Sequence, residues 1–379
     1  MRKLMLVFLV VALTLVLVLG ACAQPAPTPS PPPVQKPAPV ASPAPAPVAA
    51  PSPAASPSPT ATSAADFYSK NSATIIVGWG AGSGTDFAAR LVAVFWPDAM
   101  GGVARVKNVT GGGGIVSTNQ VWKAKPDGLT LDVAPFGTAL AAPHLFKQEG
   151  KEFDIAKFTY VGMFGDEPYT LAIGKHLPYS SVADLKKAKG LKFGTSSKTG
   201  GTPLGCALGI DLLGLENASV VSGYASAVEI ALAVARKELD GFVYQSSTAK
   251  AEIDKGFMKP IVNIGFAKSQ IFPAIKPISE EIKLSPDQER LLKVYSSAFL
   301  GGRVVFATPG IPEDRVQFLR ESFDKMVANK GFQDHTIARY QSFEPPLKGS
   351  GVEALIKELV TVPQSEIDKL NQLVEKYIK

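Results

Sequence analysis

Short apolar segments alternate with glycine- and serine-rich turns and with amphipathic stretches along most of the chain. Residues 74–77 are β-branched or aliphatic, which predicts a strand, and 86–95 places its large apolar side chains at helical spacing. The same reasoning predicts strands at 104–109, 129–133, 170–173, 192–194, 219–221, 240–244 and 299–307, and helices at 115–123, 182–189, 203–213, 227–237, 313–329, 352–359 and 364–377. This alternation is typical of an α/β fold with a largely parallel sheet.

The N-terminus has the pattern of a bacterial secretion signal. Two basic residues precede a nearly unbroken apolar run over 4–19, as in the n-region and h-region of a signal peptide. Gly20 and Ala21 before Cys22 match the lipobox, in which the cysteine is acylated and becomes the mature N-terminus. The alternatives are an uncleaved signal anchor, since about 18 apolar residues can just span a bilayer, or an ordinary signal peptide cut nearby. We predict a leader at 1–21, lipidation at Cys22 and an extracytoplasmic location, in the periplasm or on the outer cell surface.

A proline-rich segment, 22–66, follows the predicted leader. Fifteen of the 31 prolines lie between Pro25 and Pro59, and Lys36 is the only charged residue before Asp66 in this segment. Such a composition provides too little apolar bulk to offset the entropy of ordering, and proline favours extended polyproline II. About 40 residues of this kind reach on the order of 100 Å. We therefore expect a disordered tether without chemistry of its own.

The remaining residues, about 310 in number, exceed what one hydrophobic core usually serves, so two lobes are expected. We predict a first lobe from 67–170 plus 303–379 and a second from 171–302, with crossings near Tyr169 and Leu300 that form a two-strand hinge. The last two amphipathic helices are expected to pack on the first lobe. All 33 acidic residues and all but three of the 39 basic residues lie at or after Asp66, a net charge of +3 that is too small to indicate nucleic-acid binding.

Residue types suited to metal binding or catalysis are few. With Cys22 acylated, Cys206 has no disulfide partner and is expected to be a buried thiol in an apolar helix. The three histidines have no second ligand at metal spacing, so no metal or other cofactor is predicted. Dinucleotide and phosphate-loop fingerprints and the nucleophile elbow are not matched around Gly80 or Lys198. A binding protein is therefore favoured over an enzyme; an envelope hydrolase or transferase would need a nucleophile with an adjacent base.

Four loops rich in glycine, serine and threonine lie between a predicted strand and a predicted helix. They are Gly78–Thr85, Thr110–Gly114, Thr195–Thr202 and Ser222–Ser226. Such loops meet at the carboxyl ends of the strands in open α/β sheets, where ligands bind. Glycine allows close backbone approach, and the first N–H groups of each helix favour an anion. Two loops from each lobe would suit a small carboxylate, unless the glycines serve only tight turns.

Residues 75–90 resemble the first strand-loop-helix of the tripartite tricarboxylate transporter receptors, also called Bug receptors. Residues 108–117 followed by 124–131 are similar to their second signature, and 194–203, 239–241 and 307–312 fall where later motifs of the family fall. The resemblance implies a monomeric, type II periplasmic-binding-protein-like fold of two lobes, each a mostly parallel sheet flanked by helices. It also implies capture of a small molecule, usually an organic carboxylate, for delivery to multi-span permease subunits. A sensory or orphan envelope receptor of the same fold is the alternative.

The resemblance and the loop pattern together give a set of candidate ligand-binding residues. These are Trp79, Ser83, Gly84, Thr85, Asp86, Gly112, Gly113, Gly114, Gly137, Thr138, Ser196, Ser197, Thr199, Gly201, Thr202, Tyr224 and Ser226. Two of them allow more than one interpretation. Asp86 either caps the start of a helix or contacts the ligand. Trp79 either stacks over the ligand, separates the lobes or belongs to the core.

Several positions depart from the family pattern. Gly78 and Trp79 stand where the family has proline and phenylalanine, and the third loop lacks the histidine that commonly follows it. The spacing around Tyr224 is altered, and Tyr244 falls where an aspartate is frequent. These departures leave the ligand open, including whether it is a dicarboxylate.

Overall fold

The computed structural model describes residues 63–165, 167–299 and 301–379. The predicted leader, the lipidation site Cys22 and most of the predicted tether lie outside the described residues. Within the described ranges, no helix is both long and apolar enough to cross a bilayer.

The ordered part begins inside the segment that the composition assigned to the tether. Helix α1 (Ala64–Lys70) is capped by Ser63, whose hydroxyl accepts a hydrogen bond from the Asp66 amide. Tyr68 in this helix is fully buried, and its hydroxyl donates to the Gly128 carbonyl oxygen at 3.2 Å. The tether therefore ends before residue 66, because burial of one aromatic side chain holds α1 against the first lobe.

Six strands form the first sheet, and most of them run in one direction. They are β1 (Ala73–Val77), β2 (Ala104–Asn108), β3 (Thr130–Pro135), β4 (Thr159–Phe164), β10 (Arg303–Ala307) and β11 (Leu347–Lys348), in the order β11-β4-β10-β3-β1-β2. β1 pairs in parallel with β2 and β3, whereas β10 lies antiparallel between β3 and β4. The amino end of β10 consequently lies at the edge where β1 and β3 have their carboxyl ends.

Five strands form the second sheet. They are β5 (Tyr169–Gly174), β6 (Lys192–Thr195), β7 (Ser219–Ser222), β8 (Gly241–Gln245) and β9 (Met258–Ile264), in the order β7-β6-β8-β5-β9. β6 is parallel to β7 and β8, and β5 is antiparallel to β8 and β9. β8 thus lies beside β5, the strand by which the chain enters this sheet, while β6 and β7 lie farther out.

Helices cover both faces of each sheet. After α1 they are α2 (Gly84–Met100), α3 (Ile115–Trp122), α4 (Ala142–Leu145), α5 (Val182–Leu185), α6 (Gly201–Leu213), α7 (Ala227–Ala235), α8 (Ser246–Ile253), α9 (Ile278–Glu281), α10 (Pro286–Ala298), α11 (Glu313–Ala328), α12 (Lys330–Tyr340), α13 (Gly349–Val360) and α14 (Gln364–Tyr377). Gly112–Gly114 forms a 3₁₀ turn and Gly137–Ala141 a π-helical turn. Buried Trp96, Phe323 and Phe332 fill one face of the first sheet, and the core on its other face continues into the second sheet. The result is two α/β lobes.

Three chain segments connect the lobes. One joins β4 to β5, one leads from α10 into β10, and the third joins α13 to α14. α13 contacts β4 of the first sheet, as expected, but α14 contacts α6 beside the second sheet, and Ile378 bridges to Val220 in β7. The expectation that the last helix packs on the first lobe is therefore wrong. Its apolar side chains Ile367, Leu370 and Leu373 are buried on the second lobe instead.

Candidate functional site

A cleft with a volume of about 330 Å³ lies between the two lobes. It is bounded by residues that follow β1, β3 and β8, by the β4–β5 connection, and by the ends of β10 and α12. The lining residues are Trp79, Ser83, Gly84, Thr85, Pro135, Thr138, Glu167, Gln245, Ser247, Thr248, Arg303, Arg339 and Tyr340. Among the residues predicted from the sequence, Trp79, Ser83, Gly84, Thr85 and Thr138 line this cleft. Their role in binding stays a prediction.

The amino end of α2 is held in place by a network centred on Asp86. Ser83 is the N-cap, and its hydroxyl accepts from the Asp86 amide at 3.1 Å. The Asp86 carboxylate accepts from the Gly82 amide at 2.8 Å, from Arg90 Nε at 2.9 Å and from Asn108 Nδ2 at 2.8 Å. The Arg90 hydrogen bond is the main cause that lowers the pKa of Asp86 to about 2, helped by Asn108 and Gly82. Asp86 is 2% exposed and does not line the cleft, so it organises the loop from behind.

Trp79 connects the first loop to the second. Its indole ring lies against Gly114, where an added Cβ would be 2.6 Å from Trp79 Cη2. Gly114 has a φ of 100°, so glycine is required there both for the backbone conformation and for the close approach of the ring. The tryptophan therefore packs on the second loop and also lines the cleft. Gly112 and Gly113 are exposed and do not line it.

The remaining predicted positions lie outside the cleft. Gly137 is buried against Phe299, and Gly201 is buried near the hydroxyl of Tyr169. Ser226 caps α7 by accepting from the Glu229 amide at 3.3 Å. The predicted positions that do not line the cleft are Asp86, Gly112, Gly113, Gly114, Gly137, Ser196, Ser197, Thr199, Gly201, Thr202, Tyr224 and Ser226.

Strand order explains this division. The loop after β3 and the loop after β1 come from strands near β10, whereas the Gly112–Gly114 turn follows β2 at the sheet edge. In the second sheet β8 is nearest the connection to the first lobe, and the 195–202 and 222–226 loops follow the more distant β6 and β7. The ends of strands that lie close to the β4–β5 connection line the cleft, whereas the ends of strands farther from that connection do not. The second-lobe wall is accordingly Gln245, Ser247 and Thr248, which the sequence reasoning missed.

Two arginines that the sequence reasoning also missed lie beside the start of α2. A Cβ built on Gly84 would be 3.7 Å from Arg339 Nη2 and 3.8 Å from Arg303 Nη2. Arg303 is 9% exposed and donates through Nη1 to the Gly301 carbonyl oxygen. Its Nε is buried and has no hydrogen-bond partner among the described residues. The Tyr340 hydroxyl donates to the Gly84 carbonyl oxygen at 2.7 Å, which fixes α12 and Arg339 beside this point.

Glu167 places a carboxylate in the lining of the cleft. It is 5% exposed and accepts hydrogen bonds from the Ser247 amide at 2.7 Å and the Ser247 hydroxyl at 2.8 Å. Ser247 is the second residue of α8, so Glu167 caps a helix of the second lobe from the segment that connects the lobes. The cleft lining therefore contains positive groups around Gly84 and the negative group of Glu167.

Other reactive groups lie away from this cleft. Cys206 is buried, as predicted, and burial raises the pKa of its thiol to about 12, which keeps it unreactive. Across the described residues no three His, Cys, Asp or Glu side chains come together in a way that could hold a metal ion. Apart from the Glu167 carboxylate, the cleft offers guanidinium groups, hydroxyls and helix N–H groups, a donor set that suits an anion better than a cation.

Comparisons with known proteins are consistent with this architecture. A UPF0065 protein from the TAR-I ttuE-ttuC' intergenic region of Agrobacterium vitis is 34% identical over 141 residues, which cover 35% of this chain and 39% of the relative. The chain thus spans about two fifths of the length of that curated relative. A TctC solute binding protein from Polaromonas, solved without ligand, has a TM-score of 0.64 at 18% identity. The match covers 80% of this chain and 98% of that chain.

A further similar structure is MatC from Rhodopseudomonas palustris, solved with bound malate. Its TM-score is 0.57 at 20% identity, and the match covers 80% of this chain and 98% of that chain. At such identities both structures show the two-lobe fold alone. A family model described as the tripartite tricarboxylate transporter family receptor matches residues 88–330. Because this match includes more than half of the sequence, the chain belongs to the tripartite tricarboxylate transporter receptor family.

Proposed function

We propose that the protein is an extracytoplasmic receptor that binds a small organic carboxylate between its lobes and delivers it to a multi-span membrane permease. The observation that carries this proposal is the Arg303 guanidinium, which belongs to a residue that lines the cleft and whose buried Nε has no partner among the described residues. An unpaired buried guanidinium nitrogen is unfavourable, and a ligand carboxylate is its natural acceptor. The membership of the receptor family supports the role in solute capture.

Three positive elements would bind the carboxylate together. The helix α2 presents its first N–H groups at Gly84, and Arg303 and Arg339 have guanidinium nitrogens within about 4 Å of the same position. A helix amino end and a guanidinium group each favour a carboxylate, and arginine can bind both of its oxygens. Arg303 is held in place by Tyr340, so little side-chain entropy is lost on binding. The malate bound to the structurally similar MatC supports a carboxylate ligand.

The second lobe would supply neutral contacts. Gln245, Ser247 and Thr248 line that wall with amide and hydroxyl groups. The preferred ligand is therefore a carboxylate whose far end carries neutral or hydroxylated hydrogen-bonding groups. A ligand that contacts both walls would favour the conformation in which the two lobes are closed. The predicted anchor at Cys22 and the 22–66 tether would keep the receptor near its permease.

A thermal-shift panel tests the binding step. The full chain is heated with mono-, di- and tricarboxylates and with the corresponding amides, which keep the shape and remove the charge. A carboxylate ligand is expected to raise the melting temperature in a concentration-dependent way, whereas its amide is not. Equal shifts for acid and amide, or no shift with any acid, would contradict the proposal. Uptake of the identified acid by cells with and without the receptor then tests the delivery step.

A further inference from the structure

A second cavity, of about 260 Å³, lies beside the β4–β5 connection. Three aromatic rings line one side of it: the Tyr169 and Tyr295 centroids are 6.0 Å apart, and those of Tyr295 and Phe299 are 5.6 Å apart. The other walls come from Ile264–Lys268, at and after the end of β9, from Glu344–Pro345, before β11 of the first lobe, and from Glu167 and Pro168, of which Glu167 also lines the cleft. We call this the aromatic cavity. Its volume is slightly below the usual range of ligand sites, about 300–1,000 Å³, so it suits a small molecule.

Ser296 belongs to the wall of the aromatic cavity, and its hydroxyl group has an unused hydrogen-bonding capacity. Ser296 Oγ is shielded from solvent and has no hydrogen-bond partner among the described residues. It lies close to the backbone of Gly265, where an added Cβ would be 3.1 Å away. Buried polar groups in folded proteins are nearly always paired, so an unpaired one that lines a cavity indicates where a ligand group would bind.

The charged groups around the aromatic cavity favour a cation. Glu344 is half-buried, and its carboxylate accepts a hydrogen bond from Gln270 Nε2 at 2.7 Å. Burial raises the pKa of Glu344, because the charged carboxylate loses contact with water. Glu167 also lines the cavity, and Lys268, the one basic residue among the described lining residues, forms an ion pair with Glu280 at 3.4 Å. A positively charged ligand group would stabilise the Glu344 carboxylate, and aromatic faces also attract cations.

We propose that the aromatic cavity is a second ligand site and that it takes a small arylalkylamine. The ring of the ligand packs against Tyr169, Tyr295 and Phe299, and its ammonium group pairs with Glu344 and hydrogen-bonds to Ser296. This ligand is opposite in charge to the carboxylate proposed for the cleft, so the two sites take different molecules. Both lobes form the walls of the aromatic cavity, so an occupant contacts both and couples to their relative position.

Calorimetry with phenethylamine tests the site, using 2-phenylethanol as the uncharged analogue of nearly the same shape. The full chain is expected to bind one phenethylamine and to bind the alcohol about tenfold more weakly. Glu344→Gln is expected to reduce phenethylamine affinity about tenfold and to leave the alcohol affinity unchanged. Glu238→Gln removes an exposed carboxylate that pairs with Arg236 and does not line the cavity, and it is expected to leave both affinities unchanged.

Ser296→Leu provides a second, steric test because the larger side chain fills the aromatic cavity. It is expected to abolish binding of both probes while any carboxylate binding in the cleft, measured on the same sample, is retained. Absence of saturable phenethylamine binding by the unmodified protein overturns the proposal. Phenethylamine binding that is equally strong in the Glu344→Gln variant also overturns the proposal. This outcome does not depend on whether the Ser296→Leu variant folds. Neither result depends on the cleft, so failure of this site is distinguishable from failure of the proposed carboxylate site.

Discussion

The Arg303 guanidinium lies over the ring of Tyr340, 5.1 Å from its centroid. The Tyr340 hydroxyl donates to Gly84, so the start of β10, the end of α12 and the start of α2 are joined through one side chain. A desolvated cation–π contact contributes about 2 kcal/mol and fixes the orientation of the guanidinium. The Arg303 guanidinium is thus oriented before any ligand arrives.

Replacement of Arg303 is expected to weaken carboxylate binding. A hydrogen bond to a charged group contributes about 1.5–3 kcal/mol, so Arg303→Met should lower the affinity by about 10- to 100-fold in calorimetry. Arg339→Gln should have a smaller effect that declines with salt, because Arg339 is exposed. Arg236→Met is the matched control, since Arg236 is exposed and pairs with Glu238 away from the cleft. Unchanged affinity for Arg303→Met in a folded protein would refute the anion site.

Loss of the Asp86 carboxylate is expected to destabilise the protein at neutral pH. The pKa of Asp86 is lowered from 3.8 to about 2, so its stabilising contribution is complete above pH 4 and is lost as the pH falls from about 4 to about 2. A shift of this size corresponds to about 2 kcal/mol. Asp86→Asn should therefore lower the unfolding free energy by about that amount at pH 7 in urea titrations, and by little at pH 2. Asp98→Asn, an exposed change in the same helix, should have no comparable effect.

Asp132 should make the unfolding free energy depend on pH in the opposite direction. It is fully buried in β3, neither carboxyl oxygen has a hydrogen-bond partner among the described residues, and the nearby Ser117 hydroxyl donates to Gly114. Burial raises its pKa from 3.8 to about 8. Between these values the unfolded chain releases a proton that the folded chain keeps, so stability falls as the pH rises, by at most about 1.4 kcal/mol per pH unit.

The variant Asp132→Asn should remove this pH dependence. Its unfolding free energy is expected to stay nearly constant from pH 4 to pH 8, so its stability relative to the unmodified protein should increase across that range. Urea titrations at four pH values measure the difference, with Asp98→Asn as the exposed control. If the unmodified protein shows no decline over this interval, then the folded state ionises Asp132 and the assignment fails.

A pair of alanine substitutions separates backbone strain from side-chain contact in the second loop. Gly113 and Gly114 both have positive φ, but a Cβ meets Trp79 only at Gly114 and meets nothing within 4 Å at Gly113. Gly113→Ala should cost about 1 kcal/mol. Gly114→Ala should cost about 3 kcal/mol because overpacking adds to the strain, and it should change tryptophan fluorescence. Equal costs for the two variants would show that the Trp79–Gly114 contact is unimportant.

The periodic elements were predictable from the sequence, and the irregular ones were not. The 364–377 helix has the predicted bounds, and β1, β2 and β6 lie within a residue of their predictions. β4 was not predicted, because Gly162 interrupts its apolar run. Glycine is nevertheless needed at this position, since a larger residue there would overlap Phe323. α12 has no apolar stripe to reveal it, and the helix predicted over 182–189 is only the turn Val182–Leu185.

The cleft was predictable only where local sequence determines its position. The loop after β1 lines it as expected, because a strand, a glycine loop and a capped helix follow one another there. Arg303 could not be found in this way, since it reaches the cleft from an antiparallel strand some 220 residues later in the sequence. Its position depends on sheet order, which no local pattern encodes. The same is true of Ser247 and Thr248, whose strand β8 happens to lie next to the connection.

The third connection, between α13 and α14, is formed by the C-terminal part of the chain. Because α14 packs on the second lobe while α13 packs on the first, the short 361–363 linker is a third covalent connection between the lobes. The C-terminal helix pair therefore ties the two lobes together at a point beyond the two connections expected from the sequence.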